Sequence, residues 1–127
     1  MPCDISTFYE ENKELHHIPK GYIQRYIDTT KTFCSKEYLC YINNSTVHIY
    51  VYKAFQGKWY PRKLIYDVGV FWFSNNDVLF TTVAFDNHKA QKFVEGVGFV
   101  KFGLDKGVIK YCLLKKDFTD VWSKKKI

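Results

Sequence analysis

The chain has 127 residues, 46% of them hydrophobic and 25% charged, with 11 Phe, 10 Tyr and 3 Trp; that composition excludes intrinsic disorder and supplies one core rather than two. No apolar run approaches the ~18 residues of a membrane span, and the acidic start MPCDISTFYEENKE is unlike a signal peptide, so a soluble, cytoplasmic protein with no membrane partner is expected. The net charge of +6 is concentrated at one end: residues 101 to 127 hold 8 lysines against 3 aspartates and no arginine, whereas residues 1 to 100 hold 11 basic and 10 acidic groups.

Thr7 followed by Glu10 has capping-box spacing, which predicts a short helix to about His17 carrying Phe8 and Leu15. Pro19, Lys20 and Gly21 break it. Beyond the break Tyr22, Ile23, Tyr26, Ile27 and Phe33 fall on one stripe at helical period, which predicts a second, amphipathic helix. From Tyr38 the period becomes two. Tyr38 to Ile42 reads as a strand, Asn43-Asn44-Ser45 as a turn, and Val47 to Phe55 as a second strand. Leu64 to Phe73 and Val78 to Phe85 read as two more strands, apolar on both faces and so covered. Their connector, Ser74-Asn75-Asn76-Asp77, has hairpin length, so antiparallel pairing is predicted.

Asp86 or Asn87 then caps a helix in which Ala90, Phe93, Val94 and Val97 recur at core spacing, while Lys89, Gln91 and Lys92 face solvent. Gly98 supplies the left-handed stop. Phe99 to Phe102 and Val108 to Leu114 close a final hairpin around Leu104-Asp105-Lys106-Gly107. The predicted class is α+β: a mostly antiparallel mixed sheet of about six strands, two N-terminal helices and one helix before the last hairpin.

The letters Asn87-x2-Ala90-x7-Gly98-Phe99, with Leu79 and Val83 on the strand before them and YCLLKKDF after, resemble the C-terminal half of the GNAT family of acetyl-CoA-dependent N-acetyltransferases. The helix-helix-strand order before them is similar to that family too. The resemblance implies a GNAT-like domain over 1–117, followed by a basic tail over 118–127. Asn87, Ala90, Phe93, Gly98 and Phe99 are structural in this motif: a cap, a close approach, a core contact, a turn and a plug. Two family features are missing. The Gln/Arg-x-x-Gly-x-Gly/Ala turn that holds the coenzyme diphosphate at a helix start has no counterpart in the nearest material, Tyr66 to Phe73, and four residues cannot hold that helix before Val78. Val94 stands where many members carry a tyrosine acid, and valine has no proton to give.

Other chemistry is sparse. His16 and His17 are adjacent and diverge by about 100° on a helix; His48 and His88 are single histidines without a patterned carboxylate. Cys3, Cys34, Cys40 and Cys112 show no CxxC pair and read as reduced, mostly buried thiols, forming neither a zinc site nor a disulfide framework. Tyr50 and Tyr52 with Lys53, or Phe71 and Phe73 with Trp72, are rows able to stack on bases, but core filling is the ordinary use of such residues. Phe118, Val121 and Trp122 have i, i+3, i+4 spacing ahead of Lys124, Lys125 and Lys126, which suits docking on the chain's own sheet or on a partner.

These residues lead to a non-catalytic GNAT-like scaffold that binds a protein partner or a second copy of itself, with no catalytic, cofactor or metal residue. Small degenerate proteins of this type resemble head or internal virion components of tailed phages. The alternatives are an active acetyltransferase using acetyl-CoA, and an inhibitor or nucleic-acid accessory protein acting through the lysine-rich end.

Overall fold

The computed structural model describes residues 3–57 and 62–124. The chain divides into two compact units, Met1–Tyr60 and Pro61–Ile127, a division that falls inside the stretch 1–117.

In the first unit, α1 spans Ser6–Glu11. Its start is set by Asp4, whose carboxylate accepts the Ser6 hydroxyl at 2.7 Å and the Ser6 N–H at 2.9 Å; those two bonds hold the Asp4 carboxyl below its ordinary value. The cap expected at Thr7 is therefore not the one used, and the helix ends at Glu11, with only a 3-10 turn at Lys13–Leu15 beyond it. Pro19 precedes α2, Lys20–Asp28, where its fixed φ suits a helix start. Ile27 is buried on α2 and Ile23 half-buried. The Thr29 and Thr30 hydroxyls donate back to the Tyr26 and Ile27 carbonyls at 2.7 and 2.9 Å and close the helix.

Phe33, read from sequence as part of the helical stripe, belongs instead to a strand, β1 (Lys31–Cys34). It pairs antiparallel with β2 (Tyr38–Asn43), which pairs antiparallel with β3 (Thr46–Val51). The predicted turn between β2 and β3 is present, with Asn44 and Ser45 at φ 50° and 68°, the paired left-handed geometry of a tight hairpin. The strand ends at Val51, and Lys53–Phe55 form a 3-10 turn. The core of this unit is Cys3, Ile5, Ile27, Leu39 and Tyr52. Gln24 fastens the N-terminal segment to it, donating to the Cys3 carbonyl at 2.7 Å and accepting the Ile5 N–H at 3.3 Å.

The second unit opens with α3, Arg62–Phe73. This overturns the predicted strand over Leu64 to Phe73 and its hairpin with Val78. Leu64, Ile65, Val68, Gly69 and Phe73 are buried, a helical recurrence of i, i+1, i+4, i+5. That period was hidden because Tyr66, Val70 and Phe71 fill the outer face although exposed. The Ser74-to-Asp77 connector joins a helix to a strand: the Trp72 indole N–H donates to the Val78 carbonyl at 2.7 Å and the Asn76 amide to the Trp72 carbonyl at 2.9 Å.

β4 (Val78–Ala84), α4 (His88–Val97), β5 (Val100–Asp105), β6 (Val108–Leu114) and α5 (Lys115–Lys124) complete it. β6 lies between β4 and β5, antiparallel to both. Lys106 and Gly107, at φ 52° and 79°, make the last hairpin turn where expected. The α+β class and the count of about six strands stand, with three strands in each unit; one predicted strand is a helix and β1 takes its place.

Candidate functional site

The Asn87 to Phe99 segment is built as its letters suggest. The Asn87 side chain accepts the Ala90 N–H at 3.1 Å, satisfying one of the free N–H groups of a helix start. The Gln91 amide reaches back to the Phe85 and Ala84 carbonyls at 2.8 and 3.3 Å, locking α4 to the end of β4. Gln91 is therefore half-buried, against the expectation that it faces solvent; Lys89 and Lys92 do. Gly98, at φ 120°, lets its own N–H reach the Val94 and Glu95 carbonyls, and the Phe99 N–H follows to Val94 at 3.0 Å. Val94, Val97 and Phe99 are buried and Phe93 half-buried. Position 94 thus faces the core and offers no acid.

One polar pair in this unit had no sequence signal. Tyr111 sits at an inward position of β6, wholly buried, and its hydroxyl donates to Glu95 Oε2 of α4 at 2.7 Å. Burial, reinforced by that carboxylate, pushes the phenol up to about 12. The pair clamps α4 to the sheet.

In the first unit, Glu11 Oε1 accepts the Tyr50 hydroxyl at 2.9 Å and the Lys53 N–H at 2.8 Å, tying α1 to the end of β3. Tyr50 is likewise pushed up to about 12, first by burial and then by Glu11. Tyr52 is buried in the core, so Tyr50 and Tyr52 do not form an open stacking row. In the other row Phe71 is exposed, Trp72 half-buried and bonded, and Phe73 buried.

His16 stacks on Tyr9 with ring centroids 4.5 Å apart, and His17 Nδ1 lies 2.9 Å from the Glu14 carbonyl. His48 stacks on Tyr41 at 4.8 Å, and burial lowers its pKa. His88 is exposed in the first turn of α4. Among the described residues no group of three His, Cys, Asp or Glu side chains is placed to hold a metal.

The cysteines depart from the expectation of four thiols. Cys3 and Cys34 form a disulfide across a sequence separation of 31, with Cα atoms 6.1 Å apart. Cys40 and Cys112 are free. Burial pushes the Cys40 thiol up to about 12, far from the thiolate a nucleophile needs.

The C-terminal stripe is docked on the chain's own second unit. Phe118 and Trp122 are buried, the Trp122 indole N–H donates to the Val97 carbonyl at 3.1 Å, and Phe118 lies against Phe73, ring centroids 5.3 Å apart. Val121 is half-buried near Gly98. These residues lie in α5, which starts at Lys115. Lys124 ends α5; Lys125 and Lys126 lie outside the described residues.

The long stretch between β3 and β4 now has its helix. Val51 and Val78 are joined through α3, a connection of crossover length, and the segment from Lys53 to Lys63 that enters α3 carries Lys53, Lys58, Arg62 and Lys63 with no acid.

Comparison with solved structures follows this layout. The spermidine N-acetyltransferase of Vibrio cholerae in complex with CoA and spermine matches with a TM-score of 0.62 and 22% identity, over 90% of this chain and 83% of that one. The protein PH1933 of Pyrococcus horikoshii matches with a TM-score of 0.63 and 20% identity, over 87% of each chain. The chain has a GNAT-like fold. A mutant form of the Vibrio cholerae spermidine/spermine N-acetyltransferase SpeG matches with a TM-score of 0.55 and 23% identity over 66% of this chain; the chain spans 60% of the length of that structure. No protein-family model and no curated protein sequence matches the chain.

Proposed function

We propose that this chain is an acetyl-CoA-dependent N-acetyltransferase acting on a primary amine. The observation that carries the reading is α3, Arg62–Phe73, which lies between β3 and β4 in the stretch that reads from sequence as a strand. In this fold that helix start receives the coenzyme diphosphate, and helix N-termini attract phosphate through free N–H groups and the dipole. Here the glycine pattern is absent, but Arg62 and Lys63 open α3 and bring two cationic side chains to its first turn. The acetyl thioester is the group transferred: the amine nitrogen attacks its carbonyl carbon, the C–S bond breaks, and the nitrogen's proton ends on the coenzyme sulfur. With Val94 buried and protonless, that proton passes through solvent rather than through a side chain at this position.

The test is calorimetry with acetyl-CoA, with ATP and heparin as competitors, followed by thiol release in the presence of spermidine or a peptide N-terminus. Saturable binding that coenzyme A displaces and ATP or heparin does not, lost on Arg62→Ala together with thiol release, is the expected result. Displacement by any polyanion, without thiol release, sinks the reading.

A second reading is favoured by Val94 itself. A GNAT-like scaffold without the acid, and without the glycine turn, suits a binding or structural protein, the role of a phage virion component included. The same experiment divides the two.

A further inference from the structure

Period two sorts the side chains of the β4–β6–β5 sheet into two rows. Leu79, Thr81 and Val83 lie across from Leu113, Tyr111 and Ile109, and all six are buried; Lys101 of β5 shares this row with Tyr111. α4 covers the row, through Glu95 on Tyr111 and the Gly98 turn beside Leu113. In the opposite row Val100, Cys112 and Phe80 pair across the three strands. The next rung holds Gly103 and Lys110, and the one beyond it Asp105 and Val108. Val100 and Phe102 are each 56% exposed and Leu114 is 47% exposed. Phe102 sits at the register shift in β5 and turns to Phe80, the ring centroids 5.9 Å apart. A contiguous apolar face is therefore open to solvent, the mark of an interaction surface.

The charges in this open row are balanced. Lys110 and Asp105 are exposed, one strand and one rung apart, and among the described residues neither is held in an ion pair. An acidic partner would satisfy Lys110 and set Asp105 against its own sign; a basic partner would do the reverse, and a wholly apolar one would bury both charges unpaired. A second copy brings both signs. In a two-fold interface whatever one residue meets is met again in reverse, so a face holding one lysine and one aspartate can satisfy itself.

The strand register shows how. Aligned sheets pack about 10 Å apart, and successive rungs of one row are about 7 Å apart. A two-fold axis between the facing sheets, running along the strands between β5 and β6, lays Lys110 over the partner's Gly103, which has no side chain to obstruct it. The partner's Asp105 is then one rung away, with Cα atoms about 12 Å apart on those spacings, a gap that an extended lysine and an aspartate span together. The same axis lays Val100 over the partner's Cys112, with Phe102 beside it.

We infer that the open face of the β4–β6–β5 sheet joins two copies of this chain in a two-fold dimer, with Val100 and Phe102 packed on the partner's β6 and Lys110 paired with the partner's Asp105 on either side of the axis. The face uses neither Arg62 nor Lys63, so the dimer holds or fails independently of acetyl transfer.

The experiment is sedimentation velocity of the full chain across a concentration series. A monomer–dimer equilibrium is expected, shifted to monomer by Phe102→Asp. Lys110→Asp and Asp105→Lys should each raise the dissociation constant about tenfold or more by opposing like charges, and the two changes together should restore most of the affinity; melting curves check that each variant remains folded. The unaltered protein gives a second readout. Cys112, half-buried in the open row, should be alkylated more slowly as concentration rises, while buried Cys40 stays unlabelled throughout. A chain that remains monomeric at every concentration overturns the proposal. So does a dimer unchanged by Phe102→Asp, a double charge swap that associates no better than the single ones, or alkylation of Cys112 at a rate independent of concentration.

Discussion

Gly69 is the point at which α3 admits α5: a Cβ there would run into the Phe118 ring. Gly69→Ala should therefore cost about 1 to 3 kcal/mol through overpacking, and Phe118→Leu in the same background should recover part of it, both read from urea titrations. Tyr111 allows a pH prediction with a definite sign. Its folded pKa, about 12, lies above the ordinary 10, so the protonated phenol is favoured by folding. The resulting stability is fully present below pH 10 and is lost as pH rises through 12. Tyr111→Phe should flatten the alkaline limb of stability against pH, and at neutral pH should cost about 1.5 to 3 kcal/mol, the range for a hydrogen bond to a charged group. Stability measured from pH 8 to 12 in both proteins checks the sign. No motif announces Tyr111, because its position in β6 reads simply as one of the inward apolar set.

Among the elements, α4 and the two hairpin turns were legible because each is specified locally: Asn87 and Gly98 mark their own ends, and Asn44-Ser45 and Lys106-Gly107 need positive φ. The α3 helix was not legible, because exposed Tyr66, Val70 and Phe71 remove the polar half of its pattern and leave a run that reads as a covered strand. β1 was missed because Phe33 continues the stripe of α2 by coincidence of spacing. The disulfide that joins the N-terminal segment to β1 could not be read from Cys spacing, since it depends on Gln24 drawing residues 3 and 5 onto α2. Closing a loop of this length contributes about 3 to 4 kcal/mol on the chain-entropy account. Reductant, or Cys34→Ser, should accordingly lower the thermal midpoint, while alkylation of the unreduced native protein should leave Cys3 and Cys34 unlabelled. Asn87→Ala is expected to cost about 1 kcal/mol, a typical loss of a helix cap, measurable in the same denaturant titrations.

At the scale of the whole molecule, the match to the Vibrio cholerae acetyltransferase runs over 90% of the chain at 22% identity. The TM-score of 0.62 at that identity shows a shared fold. Chemistry in a fold depends on particular side chains rather than on the order of elements, so fold likeness and activity must be tested apart. The C-terminal helix shows the same separation between scaffold and surface. Phe118 and Trp122 fill the space left by Gly69 and beside Val97, whereas the terminal lysines add charge. Truncation after Asp117 should therefore lower the thermal midpoint strongly, and Trp122→Ala alone should cost about 3 to 5 kcal/mol if the buried ring acts as core. Replacing Lys124, Lys125 and Lys126 by Gln should leave stability unchanged and only weaken attraction to polyanions. Were α5 instead a docking segment for another chain, truncation would abolish assembly at unchanged stability. The burial of both rings and the indole bond to Val97 predict the opposite order of effects.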